Sequence, residues 1–214
     1  MPRRVDHAQR RTEIGDALVR VAGRRGLHAV GMRDVAAEAG VSLRLVQYYF
    51  ETKEKLLLYG LELLAERFGR RVSERLRAIE GGDGPGPRAT IEALLMAALP
   101  VDAESRTFHH LYTSYAVLSV TDPALAAQPF ISKPDAAEDA VAGLLQQARD
   151  ADLLRPGVEP RLEAIGLLAL SAGLGTAILV GQRGPEAATA VLRHGLDRIF
   201  RPQGPPPPSQ ATST

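Results

Sequence analysis

The sequence predicts an all-α fold: an N-terminal three-helix unit containing a helix-turn-helix, joined by a long helix to a C-terminal helical bundle, about nine helices in total. Three observations predict it. Met32 to Lys55 (MRDVAAEAGVSLRLVQYYFETKEK) reads as two short helices around a glycine turn. From Lys53 to Ile79, Leu57, Leu61, Leu64, Phe68, Val72, Leu76 and Ile79 recur at steps of three and four, the stripe of one unbroken amphipathic helix. Further on, Ala164 to Gly181 runs 18 residues without a charge, polar only at Ser171 and Thr176.

The first ten residues are a basic arm, expected either to be disordered, the preferred reading for the free protein, or to reach along a duplex. From Arg11 to about Arg24, Ile14, Leu18, Val21 and Ala22 make one apolar stripe, and Gly26 ends that helix. Leu27 and Val30 would plug the connection to the motif. Within it, Val35, Ala36 and Ala39 share a face of a helix too short to stand alone. Gly40 stops that helix, because glycine enters the left-handed region without a Cβ clash. Ser42 can then cap a second helix, from Leu43 to about Tyr49, with Val41, Leu45 or Val46, and Phe50 turned inward. Arg44, Gln47, Tyr48 and Tyr49 remain on or near the other side. Arginine pairs with guanine and glutamine with adenine through two hydrogen bonds, while tyrosine and lysine grip phosphate oxygens. Thr52 can cap the long helix, setting Lys53 and its first-turn amides beside a duplex.

The strings RDVAAEAGVS, YYF and TKEKLL resemble the DNA-binding domain of the TetR family of bacterial transcriptional regulators, with similarity at motif level from Arg10 to Leu64. The resemblance implies that Tyr48, Tyr49 and Lys53 contact phosphates and that Leu43, Arg44 and Gln47 face the groove, with Arg33 and Ser42 completing the DNA-binding set. Two departures stand out. Val30 and Gly31 replace the Thr and Ser that often lead into the first motif helix, removing a side-chain cap worth about 1 kcal/mol. Gln47 stands where a Tyr is common, which suggests a different base preference.

Composition narrows the rest. At 214 residues and 45% hydrophobic content the chain can build a real core. Its net charge of +1 conceals a basic N-terminal end: nine arginines against five acids in residues 1–50. That is the end with the motif, and a local positive surface favours a polyanion through counterion release. No cysteine is available for a disulfide, a thiolate metal site or a nucleophile, and the N-terminus lacks the apolar core of a secretory signal. A cytoplasmic location is expected.

Gly81 to Pro87 (GGDGPGP) is a loop on composition. Helices follow near Arg88 to Leu99, Ala103 to Val120 and Asp135 to Asp152, with a short helix and turn expected over 123–134. The uncharged run belongs to a helix from Glu159 to Gln182. It sits at the lower length limit for a membrane span and contains four glycines, so burial on two sides is preferred to a span. Ala169, Gly173 and Ala177 repeat at four and would admit a second backbone closely. A final amphipathic helix covers Pro185 to Phe200. These two helices are the expected homodimer interface, and in the resembled family the same pair forms a four-helix contact. The proline-rich tail, residues 202–214, is expected to be disordered. The expected domains are therefore 1–52 for DNA binding, 53–201 for ligand binding and dimerisation, and the tail.

Enzymatic readings fail on particular grounds. His109 and His110 are adjacent, so on a helix they diverge by about 100° and cannot share a metal in the usual i, i+4 manner. No HExxH, GxSxG, Walker or GxGxxG pattern occurs. No metal or cofactor is called for. A small-molecule pocket is expected instead around Phe108, His109, Tyr112 and Tyr115, with Met96 and Phe130 as further lining, since such sites are mostly apolar with few polar groups. Core filling is the competing role for each of these residues. The expectation is a homodimeric, ligand-responsive regulator, a repressor released from a palindromic operator by a small apolar effector. An effector-sensing interaction protein without operator binding is the rival.

Overall fold

The computed structural model describes residues 2–26, 29–78, 85–120, 123 and 135–202. Among them are nine helices and one isolated antiparallel bridge. The helices are α1 (Pro2–Arg25), α2 (Met32–Glu38), α3 (Leu43–Phe50), α4 (Lys53–Arg77), α5 (Pro87–Ala98), α6 (Ala103–Ser119), α7 (Asp135–Asp150), α8 (Pro160–Leu179) and α9 (Pro185–Ile199). Leu27, Ile79, the 124–134 segment and the tail from residue 203 lie outside the described residues.

Two differences from the sequence reading concern helix starts. The basic arm is helical: α1 begins at Pro2, a residue suited to a first helical turn. Helix α2 lacks a capping side chain at Gly31, but Asp34 reaches back and its Oδ2 accepts the Gly31 N–H at 3.1 Å, satisfying one of the free amides. The caps of α3 and α4 are local and conventional. Ser42 accepts from the Leu45 amide at 3.2 Å and Thr52 from the Lys55 amide at 3.3 Å. Gly40 turns the chain at φ 67 with open space where a Cβ would stand.

The α3–α4 junction is tighter still. Glu51 holds φ 57 and ψ −59, and the Thr52 N–H donates to the Phe50 carbonyl at 2.5 Å, a γ-turn of the rare, strained kind. It lets α4 start immediately beside the end of α3.

Two apolar cores divide the chain. The first joins Ile14, Leu18, Val35, Val46, Phe50, Leu57, Leu61 and Leu64, with Leu111 and Tyr115 of α6 inserted into it. The second gathers Ile91, Leu95, Met96, Val141, Leu145, Leu167, Leu174, Leu192 and Phe200 from α5 and α7 to α9. The first half of α4 and part of α6 thus pack with the N-terminal unit, so its core crosses the boundary expected at residue 52. Close packing needs small residues at the crossings: a Cβ on Gly60 of α4 would lie 2.5 Å from Leu18 Cδ2 of α1.

Two contacts fasten the long helix sideways. Arg67 of α4 pairs with Asp16 of α1, and Arg71 pairs with Asp102 at the start of α6. At the far end, the Leu154–Phe200 bridge pins the close of α9 to the α7–α8 connection, with the Arg155 amide donating to the Ile199 carbonyl at 2.9 Å.

Helix α8 is long and apolar enough to cross a membrane, with a mean hydropathy of 1.8, but it packs against α7, α9 and α5 in the second core. Only 33% of that apolar window is buried. Its outer side exposes Leu162, Ile165, Ala169 and Gly173, while Val191 is exposed on α9.

Candidate nucleic-acid interface

Helix α3 owes its position to Val46 and Phe50, which are fully buried and hold it against α2 and α4. With that face committed, Arg44, Gln47 and Tyr48 are exposed, Tyr48 by 70%. Leu43, Leu45 and Tyr49 are half-buried at the edges. Of the other residues singled out in the sequence, Arg33 on α2 and Ser42 at the α3 cap are exposed, and Lys53 on the first turn of α4 is half-buried.

Charge pairing separates these cations from their neighbours. Arg20 and Arg24 of α1 converge on Glu38, Arg25 pairs with Asp34 at 2.8 Å, and Lys55 pairs with Glu51 at 2.6 Å. Hydrogen bonds from Arg24 and then Arg20 hold the Glu38 carboxyl below its ordinary range. Among the described residues, Arg33, Arg44 and Lys53 have no ion-pair partner. The three arginines that brace α1 on α2 share two carboxylates, whereas no described acid offsets Arg33, Arg44 or Lys53.

One further side chain lies against this face. His7, on the second turn of α1, is exposed and sits against the aromatic pair: its ring centroid lies 4.4 Å from that of Tyr49 and 6.0 Å from that of Tyr48. The two tyrosine rings meet edge to face at 5.4 Å. No signal in the local sequence links His7 to residues 41 and 42 positions away. A basic arm with no apolar stripe reads as unstructured.

The expected ligand-binding residues are not brought together around one cavity. Tyr115 is buried in the N-terminal core and Met96 in the C-terminal core, because the faces of α5 and α6 that carry them point to different neighbours. Phe130 lies outside the described residues. Phe108 stacks on Phe68 of α4 at 5.3 Å and lies 6.4 Å from Tyr112. A recess of about 10 Å³ is lined by Leu64, Arg67, Phe68, Arg71, Ala97, Glu104, Ser105 and Phe108. That is at the lower limit for a single water.

His109 joins three helices. Its ring occupies a notch on α8 where a Cβ at Gly175 would overlap Cε1, and Nε2 lies 3.4 Å from Thr176 Oγ1. Burial pushes its imidazole below the ordinary range, opposed by a hydrogen bond to the Ala98 backbone at the end of α5. The Tyr115 hydroxyl is buried with no hydrogen-bond partner among the described residues, and burial, then the Glu54 charge, push it up.

Comparison with known proteins completes the picture. Residues 14–59 match the family described as bacterial regulatory proteins, tetR family, and residues 87–201 match the BetI-type transcriptional repressor C-terminal family. The chain is 27% identical over 174 residues to the HTH-type transcriptional regulator PksA of Bacillus subtilis, covering 81% of this chain and 80% of that protein. It is 35% identical over 94 residues to the regulator BetI of Agrobacterium fabrum, covering 44% of this chain and 43% of that relative. Among solved structures, a transcriptional regulator from Rhodococcus sp. Rha1 aligns with TM-score 0.73 and 26% identity over 88% of this chain and 95% of its own. A regulator from Saccharomonospora viridis in complex with choline aligns with TM-score 0.79 and 24% identity, over 91% of this chain and 100% of its own, a likeness of fold. These relatives are regulators of transcription and not enzymes. The second family match alone spans more than half of the sequence, and with the helix-turn-helix match before it the chain belongs to the TetR family of bacterial transcriptional regulators.

Proposed function

We propose that the protein is a homodimeric, effector-responsive repressor that binds a near-palindromic operator in double-stranded DNA. Each protomer would set α3 in the major groove, Arg44 and Gln47 reading base edges while Tyr48, Tyr49 and Lys53 hold phosphates, with Leu43, Ser42 and Arg33 at the margin. The observation that carries this reading is the exposed, unpaired Arg44 beside Gln47 and Tyr48 on a short helix whose opposite face is fully buried. An interaction protein that had given up DNA would have no need to keep that set clear of acidic partners.

Dimerisation is supported by the outer faces of α8 and α9. Leu162, Ile165, Ala169, Gly173 and Val191 form an exposed, largely apolar surface of small and branched residues, the composition a second helix pair can pack upon. Two α3 helices then stand about 34 Å apart, one turn of the duplex. The effector is proposed to be small and largely apolar, entering between α4, α5 and α6 beside Phe68, Phe108, Tyr112 and His109. Those aromatic faces would also suit an organic cation. Opening the packed recess there would move α4, and with it the spacing of the α3 pair. Coupling of this kind is typically about 1 to 3 kcal/mol. Such a regulator works in the cytoplasm.

The test is selection of bound fragments from a genomic DNA pool by the purified protein. Recovered fragments should share a near-palindrome with half-sites about one helical turn apart. Recovery of fragments with no common sequence would remove the operator reading.

A further inference from the structure

The second and third turns of α1 lie across the end of α3, and the residues that make the contact share one helix face. His7 and Arg11 are four apart. His7 meets Tyr49 at 4.4 Å and Tyr48 at 6.0 Å, and the Arg11 guanidinium sits over Phe50 at 5.4 Å and over Tyr59 at 4.9 Å. Next to Arg11, the Thr12 hydroxyl lies 3.4 Å from the Tyr59 hydroxyl. One aromatic row therefore runs from His7 through Tyr49 and Phe50 to Tyr59, and α1 is laid along it.

The two ends of this row do different things. Arg11 lies over rings, one of them the buried Phe50, and its cation–π contacts dock the helix. His7 is exposed, and so is Tyr48 beside it, which places an imidazole at the rim of the exposed face of α3. An imidazole N–H is a phosphate donor of the same reach and kind as a tyrosine hydroxyl. Packing alone would be served by any ring at position 7.

We infer that the duplex-binding surface extends onto the second turn of α1, with His7 as a phosphate-contacting residue next to Tyr48 and Tyr49. The inference rests on the reading of α3 as the element that enters the groove. It makes the N-terminal extension a fixed, helical part of the interface.

The experiment compares wild type, His7→Phe and His7→Ala in salt-titrated binding to a selected operator duplex and to a duplex of unrelated sequence. The phenylalanine keeps the ring against Tyr49 and removes the N–H. Both variants are expected to bind about two- to tenfold more weakly, the size of one lost hydrogen bond, and by the same factor on both duplexes, because a phosphate contact carries no sequence preference. The thermal melt of His7→Phe should be unchanged, since phenylalanine keeps a ring against Tyr49. Wild-type affinity in His7→Phe, whether or not His7→Ala is weak, would show that the ring only packs and would overturn the contact. Loss confined to the operator duplex would equally overturn it. Absence of binding to either duplex by the wild-type protein would overturn the regulator reading itself, which distinguishes the two failures.

Discussion

The Arg71 guanidinium grips the Asp102 carboxylate with both terminal nitrogens, Nη1 to Oδ1 at 3.0 Å and Nη2 to Oδ2 at 2.8 Å. Asp102 is also the cap of α6, accepting the Ser105 amide at 2.8 Å. One carboxylate thus ties the C-terminal third of the long helix that carries Lys53 to the start of the helix that carries Phe108, His109 and Tyr115. Planar, bidentate pairing fixes direction as well as distance, so α4 and α6 are held in one relative pose at this point.

The pair should show in acid. Hydrogen bonds from Arg71, and after the opposing cost of burial those from Ser105, hold the Asp102 carboxyl well below the usual carboxylate range. A depressed folded-state value means that its stabilisation is complete above the unfolded value of about 3.9 and fades as pH falls further. Arg71→Ala should lower stability by about 1 kcal/mol at pH 7, the modest figure suited to a half-exposed carboxylate. The gap between variant and wild type in thermal melts should narrow below about pH 4. A gap that stays constant to pH 2 would show that Arg71 acts through packing.

Gly175 and His109 should behave as one unit. An alanine methyl at 175 would occupy the space of the imidazole, so Gly175→Ala should destabilise by about 1 to 3 kcal/mol despite the better helix propensity of alanine. In the double variant with His109→Ala the methyl has room, and the two costs should fail to add by about 1 kcal/mol or more. Denaturant titration of the four proteins measures this, and additive costs would mean that the ring can leave its notch freely.

Much of the N-terminal unit was legible in the chain because its signals are local. A glycine turn, a serine cap one residue before a helix and apolar steps of three and four each act within a few positions, and the left-handed Gly40 and the Ser42 cap stand as read. The Asp34 back-cap of α2 is equally local, but it runs against chain direction, from the third helical residue back to the Gly31 amide. What could not be read depends on neighbours distant in sequence. The arm folds as helix because His7 and Arg11 find Tyr49, Phe50 and Tyr59, and nothing in MPRRVDHAQR announces them. The aromatic face of α6 was visible, but periodicity names a face and not its partner. Tyr115 went to the N-terminal core and Met96 to the other, leaving Phe108 beside the small recess.

Dimerisation can be tested without disturbing the protomer. Gly173 faces open space on the exposed side of α8, so Gly173→Glu has room within one chain. Against a second helix packed there it would bury an unpaired charge. Native mass determination should find the wild type dimeric and Gly173→Glu monomeric at micromolar concentration, with helix content unchanged. A variant that remains dimeric would place the interface elsewhere.

Reading of the duplex by α3 is tested most directly by salt-titrated operator binding of Arg44→Ala and Lys53→Ala against wild type. Arg44→Ala should cost about 1 to 3 kcal/mol and relax the choice at one base pair, while Lys53→Ala should weaken all sequences alike and lower the salt slope by about one. If both variants match wild type in affinity, sequence preference and slope, the exposed face of α3 is not what meets DNA.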